Sequence, residues 1–365
     1  MRSMFQSRRF DPVFQRSTPS RPDLRRPWSL ARAFAVGVSL LALAACGPAT
    51  DELPEDAGLE ETGGPVELLV TAAFTAVEGG GGAVGFLPDP QAPSLGLVLS
   101  APRIGGLDLY DLDGVLKTRH TGERLSGLAT APNFELRGES LPLIFGAAAD
   151  SQAVRGFAVV RDGAQVLDLP LGAIEPLDGV SGLCLMREGT GFVELVVLST
   201  GAHAEIWRVR DAGEDQLSVE RIRDFPLPAP ARQCAAFDGD IYTASPAGGL
   251  ARLTADGTLL ADARYPAASL TIGEFNGTRL VLAADGNGET VDTFDAATLE
   301  AGISIDIVDG LSTPGVQSPG ALAVTSADYG YTAYANGLLA VYDTDAGRLK
   351  VVSRDALTRA VVAAD

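Results

Sequence analysis

Residues 97–115 read LVLSAPRIGGLDLYDLDGV, and this stretch decides the fold. An apolar run over 97–102 turns through Arg103-Ile104-Gly105-Gly106 into an alternating run, Leu107-Asp108-Leu109-Tyr110, that ends on Asp113-Gly114. Apolar runs this short are strands, strict alternation marks a strand with one buried face, and Asp-Gly is a hairpin signal. The same unit recurs along the chain. Middle strands are expected over 97–102, 143–148, 193–200, 240–245, 279–285 and 331–336. Alternating third strands follow over 106–115, 156–164, 204–214, 249–258, 290–299 and 337–348. Runs of small and apolar residues precede them at 83–87, 125–130, 180–186, 233–237, 270–275 and 321–325, as suits strands converging on a narrow axis. A repeat of about 40 to 50 residues is the length of one four-stranded propeller blade. The expected fold is therefore all-β: a six-bladed β-propeller of four-stranded antiparallel blades over residues 66–365. A double-layer sandwich is the competing fold, and it leaves the sixfold recurrence without a cause.

Composition narrows the function. The 365 residues hold 47 Asp plus Glu against 28 Lys plus Arg, a formal charge of −19, so a phosphate backbone is repelled and nucleic acid is excluded as a partner. Two His and three Cys spread over the chain make no Cys/His zinc cluster, whereas metals that take oxygen ligands stay open. With 46% hydrophobic residues the chain is able to bury a large core.

The charge is unevenly placed. Residues 1–45 carry eight Arg against Asp11 and Asp23, a net of +6, which leaves −25 on the remainder. The basic lead runs into AFAVGVSLLALAA at 33–45, too short to span a bilayer as an ordinary helix and laid out as a secretory signal. It ends Leu43-Ala44-Ala45-Cys46-Gly47, which resembles the lipobox of bacterial lipoproteins. That resemblance implies cleavage before Cys46, lipidation of Cys46 as a membrane anchor, and, with Gly47 following, sorting to the outer membrane. Residues 46–65, rich in acids, Gly and Pro, read as a flexible tether. Cys184 and Cys234 remain in an exported domain, just after equivalent points of adjacent inner strands; a disulfide and two buried thiols are both open readings.

Several local motifs are weak. Gly79-Gly80-Gly81-Gly82 lacks the Lys-Ser or Lys-Thr and the helix of a phosphate loop and reads as a turn. Gly179-Val180-Ser181-Gly182 falls short of a nucleophile elbow, so Ser181 reads as a strand residue. Asp108, Asp111 and Asp113 have the look of a calcium loop, but Asp113-Gly114 is better explained as a hairpin turn. His120 and His203 stand 83 positions apart and read as surface or turn residues.

The order of these motifs resembles the β-propeller phytases, a family of calcium-dependent six-bladed enzymes that release phosphate from phytate. The resemblance covers about residues 66–345 and is carried by Phe86-Leu87-Pro88-Asp89-Pro90, the 106–114 hairpin, His120-Thr121-Gly122, Ser181-Gly182-Leu183, Ser199-Thr200-Gly201, Cys234-Ala235-Ala236, Ala284-Asp285-Gly286-Asn287 and Val308-Asp309-Gly310. It implies Ca²⁺ held by carboxylates at the blade mouths, with Lys and Arg assisting on the substrate phosphate. The matched positions are mostly replaced: Gly81-Gly82, Gly127-Leu128-Ala129, Ala147-Ala148-Ala149, Ser181, Ala202, Ser245-Pro246 and residues 313–320 stand where the family has ligands. Arg103, Asp285 and Asn287 keep polar character and are the candidate substrate-binding residues. Two functions follow: a calcium-dependent phosphomonoesterase at the bacterial envelope, or a non-catalytic lipid-anchored propeller that binds a protein, a glycan or a small ligand.

Overall fold

The computed structural model describes residues 64–160 and 164–364. The signal, Cys46 and nearly all of the tether lie outside the described residues. Residues 61–365 form a unit of their own.

Six antiparallel sheets follow one another along the chain. Two short strands come first, β1 (Val66–Leu69) and β2 (Ala72–Ala73). Blade one is β3 (Gly81–Leu87), β4 (Leu97–Pro102), β5 (Leu107–Tyr110) and β6 (Leu116–His120). Blade two is β7 (Leu125–Leu136), β8 (Glu139–Ala148), β9 (Ala153–Val160) and β10 (Gln165–Leu169). Blade three is β11 (Val180–Gly189), β12 (Phe192–Ser199), β13 (His203–Arg210) and β14 (Ser218–Pro226). Blade four is β15 (Gln233–Phe237), β16 (Asp240–Ser245), β17 (Gly249–Leu253) and β18 (Leu259–Ala263). Blade five is β19 (Ser269–Phe275), β20 (Thr278–Ala284), β21 (Val291–Asp295) and β22 (Ala301–Val308). Blade six is β23 (Pro319–Thr325), β24 (Leu338–Asp343) and β25 (Arg348–Ser353), and the chain ends in a helix, α1 (Arg354–Ala364).

The ring closes with strands from both ends of the propeller. β2 pairs with β25 as the outer strand of blade six, and β1 adds to β22 in parallel as a fifth strand of blade five. Six apolar clusters hold the ring, one at each interface between neighbouring blades. Trp207, Phe134 and Phe145 fill the interface of blades two and three, while Tyr110, Phe74 and Phe86 fill that of blades six and one. Each sheet has two faces to bury, so the apolar half of every strand pattern packs toward one blade and the other half toward the next.

Two features depart from the sequence reading. The expected middle strand at 331–336 is a short 3₁₀ turn, Thr332–Tyr334, and the expected third strand of blade six is its second, β24. Gly330 (φ 74°) and Gly337 (φ 97°) bend the backbone on either side of Tyr331, so the alternation there does not lie in a sheet. The second departure is α1, which buries Leu357 and Val361, one turn apart, against blades five and six.

Buried ion pairs recur within the blades. In blade one Asp108 is fully buried and accepts from Arg119 (Nε, 2.7 Å; Nη2, 2.9 Å) and from the Tyr110 hydroxyl at 3.2 Å. Asp111 closes the following turn by accepting from the backbone of Asp113 and Val115, so this acidic run is a hairpin. In blade three Glu205 takes the place of Asp108, Trp207 that of Tyr110, and Arg221 that of Arg119.

Candidate functional site

The axial mouth, where the inner strands begin, is where the resemblance puts the chemistry. Its side chains join blade to blade. The Ser126 hydroxyl donates to the Ser181 carbonyl at 2.8 Å, and the Ser181 hydroxyl reaches the carbonyls of Ser199 (2.8 Å) and Ala231 (2.9 Å). Ser269 and Thr271 accept from the backbone of Leu322 and Val324 at 2.9 and 3.1 Å. Gln233 reaches from blade four to the Ser126 carbonyl at 3.0 Å. Glycine is required beside this ladder: a Cβ on Gly182 would lie 2.1 Å from the Arg232 carbonyl.

The predicted site residues are placed apart. Arg103 is on blade one, exposed, its Nε donating to the Gly81 carbonyl at 3.2 Å. Asp285 and Asn287 are on blade five, where Asp285 accepts the Asn287 backbone N–H at 2.7 Å and closes a turn. A calcium centre needs about six to eight oxygen ligands, several of them carboxylates. Among the described residues no three His, Cys, Asp or Glu side chains gather to hold a metal ion, and the mouth offers serines already engaged with carbonyls. The residues present do not fit the Ca²⁺ set that the resemblance implies. An axial cavity of about 340 Å³ is lined by Ala, Val, Leu and Ile of the inner strands together with Thr130, Gln233, Ser269 and Thr271. Cys184 and Cys234, on the inner strands of blades three and four, are joined there as a disulfide with Cα atoms 5.6 Å apart.

A larger cavity, about 590 Å³, opens between blades two and three. Its apolar wall includes Phe157, Leu171, Ile174, Trp207 and Val219. Its rim carries Thr121, Glu123, Arg155 and Asp168. Arg155 donates to Glu123, and both remain accessible, at 48% and 32% side-chain exposure. Hydrogen bonds from Ser151 and Arg155 hold the Glu123 carboxyl below the usual carboxylate range, so it is an anion at neutral pH. His120 is no simple surface residue: its ring packs edge-on against Phe157 and its Nε2 lies 3.1 Å from Asp168, tying blade one to blade two at the edge of the cavity.

The outer wall is a strap, residues 170–179, which links β10 to β11 and runs beside β14. Gly172 N–H donates to the Leu217 carbonyl at 2.7 Å, and Leu217 N–H donates to the Pro170 carbonyl at 2.9 Å. The buried carboxylate of Glu205 fixes the far end by accepting the Leu177 N–H at 2.7 Å, the Trp207 indole at 2.8 Å and Arg221 Nε at 2.5 Å. Arg221 also donates to the Glu175 carbonyl. Sequence reading missed this site, because residues 170–179 lie between the expected strands and carry no motif of their own. The available signal was the acid-x-aromatic step Glu205-Ile206-Trp207 with Arg221 on the next strand, parallel to Asp108-Leu109-Tyr110 with Arg119.

No protein-family model matches the chain, and no curated protein matches it. Among solved structures the chain is similar to the β-propeller domain of Myceliophteria thermophila Cps50 (Swd1), at 11% identity over 78% of this chain and 99% of that one, with a TM-score of 0.47. It is also similar to U3-55K, at 11% identity over 77% and 98% of the two chains, with a TM-score of 0.49. A third is BBS1N in complex with ARL6DN, at 12% identity over 74% and 78%, with a TM-score of 0.45. These are likenesses of fold.

Proposed function

We propose that this chain is a ligand-binding β-propeller of the bacterial envelope, anchored by a lipid on Cys46, and that it does not carry out phytase chemistry at its mouth. The observation that carries the reading is the use of the mouth's side chains: Ser126 and Ser181 join neighbouring blades, and Gln233 reaches from blade four to blade two, where a phytase needs carboxylates. Accessible polar groups, Thr121, Glu123, Arg155 and Asp168, line the cavity between blades two and three. The disulfide suits an oxidising compartment and so agrees with export. Function on this fold rests with the site, since propellers serve many roles.

The test is phosphate release from phytate with millimolar Ca²⁺, measured against a chelated control, together with the melting temperature with and without Ca²⁺. Neither quantity is expected to change with calcium. Calcium-dependent release, or a large calcium-dependent rise in melting temperature, would restore the phosphomonoesterase reading, because an ion bound only by the folded state stabilises it.

A further inference from the structure

We infer that the cavity between blades two and three takes a neutral saccharide. This rests on the ligand-binding reading and names the class of ligand. Size is the first argument: about 590 Å³ lies within the 300–1,000 Å³ common for small-molecule sites and accommodates two or three sugar rings.

The pairing of charges is the second argument. Arg155 is matched by Glu123, and Asp168 faces His120, so the rim presents donors beside acceptors with little net charge of its own. A strongly charged ligand would find its countercharge already engaged, and an anion would also meet the −25 carried by residues 46–365. Neighbouring hydroxyls, each able to donate and to accept, match a guanidinium beside a carboxylate without bringing a charge that needs compensation. The Thr121 hydroxyl adds a neutral partner at the same rim.

The wall is the third argument. Sugar rings pair a polar edge with C–H faces, and this cavity sets a charged rim over Phe157, Leu171, Ile174 and Val219. The strap is held by Glu205 and by its ladder to Leu217, so the wall is formed before a ligand arrives and little ordering entropy is lost on binding.

Trp207 lines the cavity and is one of two tryptophans in the chain, the other being Trp28. Cleavage before Cys46 removes Trp28, and Trp28→Phe removes it from any unprocessed chain, so all tryptophan emission reports on the cavity. The probes are maltose, cellobiose and diacetylchitobiose as neutral saccharides, spermidine as a cation and inositol hexakisphosphate as an anion. At least one neutral saccharide is expected to give a saturable change in emission. Arg155→Ala and Thr121→Val, each checked for an unchanged melting curve, are expected to weaken that binding at least tenfold, while Arg264→Ala, on the loop between blades four and five, leaves it as it was. A saturable response to spermidine or to the hexakisphosphate alone overturns the saccharide inference and leaves the ligand-binding reading in place. Silence to every probe also overturns the inference. Calcium-dependent phosphate release from phytate removes the reading beneath it.

Discussion

Arg221→Met tests whether the buried carboxylate of Glu205 holds the cavity wall. Glu205 is 1% exposed and accepts three donors, of which only Arg221 is charged. Removing one partner of a buried ion pair costs about 3–5 kcal/mol. Arg221 is 28% exposed, and the Trp207 and Leu177 donors survive the change, so a loss of about 2–3 kcal/mol is expected, nearer the value of a hydrogen bond to a charged group. For a unit of this size roughly 2 °C of melting temperature follows each kcal/mol, which gives a fall of about 4–6 °C. The assay is thermal unfolding by circular dichroism, with amide exchange at Leu177 and the emission maximum of Trp207 read alongside. Faster exchange at Leu177 and a red-shifted emission are expected, because the strap also loses the bond from Arg221 to the Glu175 carbonyl. Arg119→Met, at the equivalent pair in blade one, is expected to lower stability similarly and to leave Leu177 and Trp207 unchanged. A loss below about 0.5 kcal/mol for Arg221→Met, with Leu177 exchange unaltered, would refute the account of the strap.

Three further outcomes follow from the mouth, the disulfide and the blade interiors. Gly182→Ala sets a methyl group against the Arg232 carbonyl and is expected to cost about 1–3 kcal/mol, read as a lower urea midpoint; an unchanged midpoint would show that blades three and four separate freely. Reduction of Cys184–Cys234, which closes a segment of 50 residues, is expected to remove about 2–4 kcal/mol, while unfolding without reductant exposes neither thiol to titration. Hydrogen bonds from Arg187, opposed by burial and helped by Arg208, hold the Glu194 carboxyl below its ordinary value. A carboxyl depressed in the folded state contributes its stability above the unfolded value near 4.5 and loses it as pH falls through the folded one. Melting temperature is therefore expected to drop on acidification below about pH 4.5, with a shallower acid limb in Glu194→Gln; parallel limbs in the two proteins would argue against this role.

The repeat was legible because each blade repeats a physical demand. Inner strands are small where they crowd an axis, as in Gln233-Cys234-Ala235-Ala236, and third strands alternate because the two faces of a blade differ, as in Leu107-Asp108-Leu109-Tyr110. Tyr331 misled because alternation says nothing about the flanking φ angles, and Gly330 and Gly337 turn the chain out of the sheet there. α1 was hidden in a short run whose only helical mark is the spacing of Leu357 and Val361, with Asp355 in the first turn. The mouth's hydroxyl ladder was not legible, because Ser126 and Ser181 meet only across a blade interface. The cavity was hard to read for the same reason: Arg155, Asp168 and Trp207 come together through the packing of two blades, and the one within-blade signal, Glu205-Ile206-Trp207 with Arg221, marks the anchor of the strap and not its rim.

The way the ring closes also bears on how an incomplete chain fares. β2 finds its partner only in β25, nearly 280 positions further on, and β1 finds its own in β22. During synthesis β1 waits unpaired until blade five has emerged and β2 until the last blade has, the latter a pairing at nearly the longest separation the unit allows. A chain cut short before residue 348 lacks β25 and leaves Phe74 and Val77 without the Leu349 and Val351 they pack beside. Such a fragment presents a bare sheet edge and apolar surface, the marks by which proteases and chaperones single out defective chains. Closure by strands far apart in the chain thus works as a check on length: only a polypeptide that reaches β25 is able to hide its own seam.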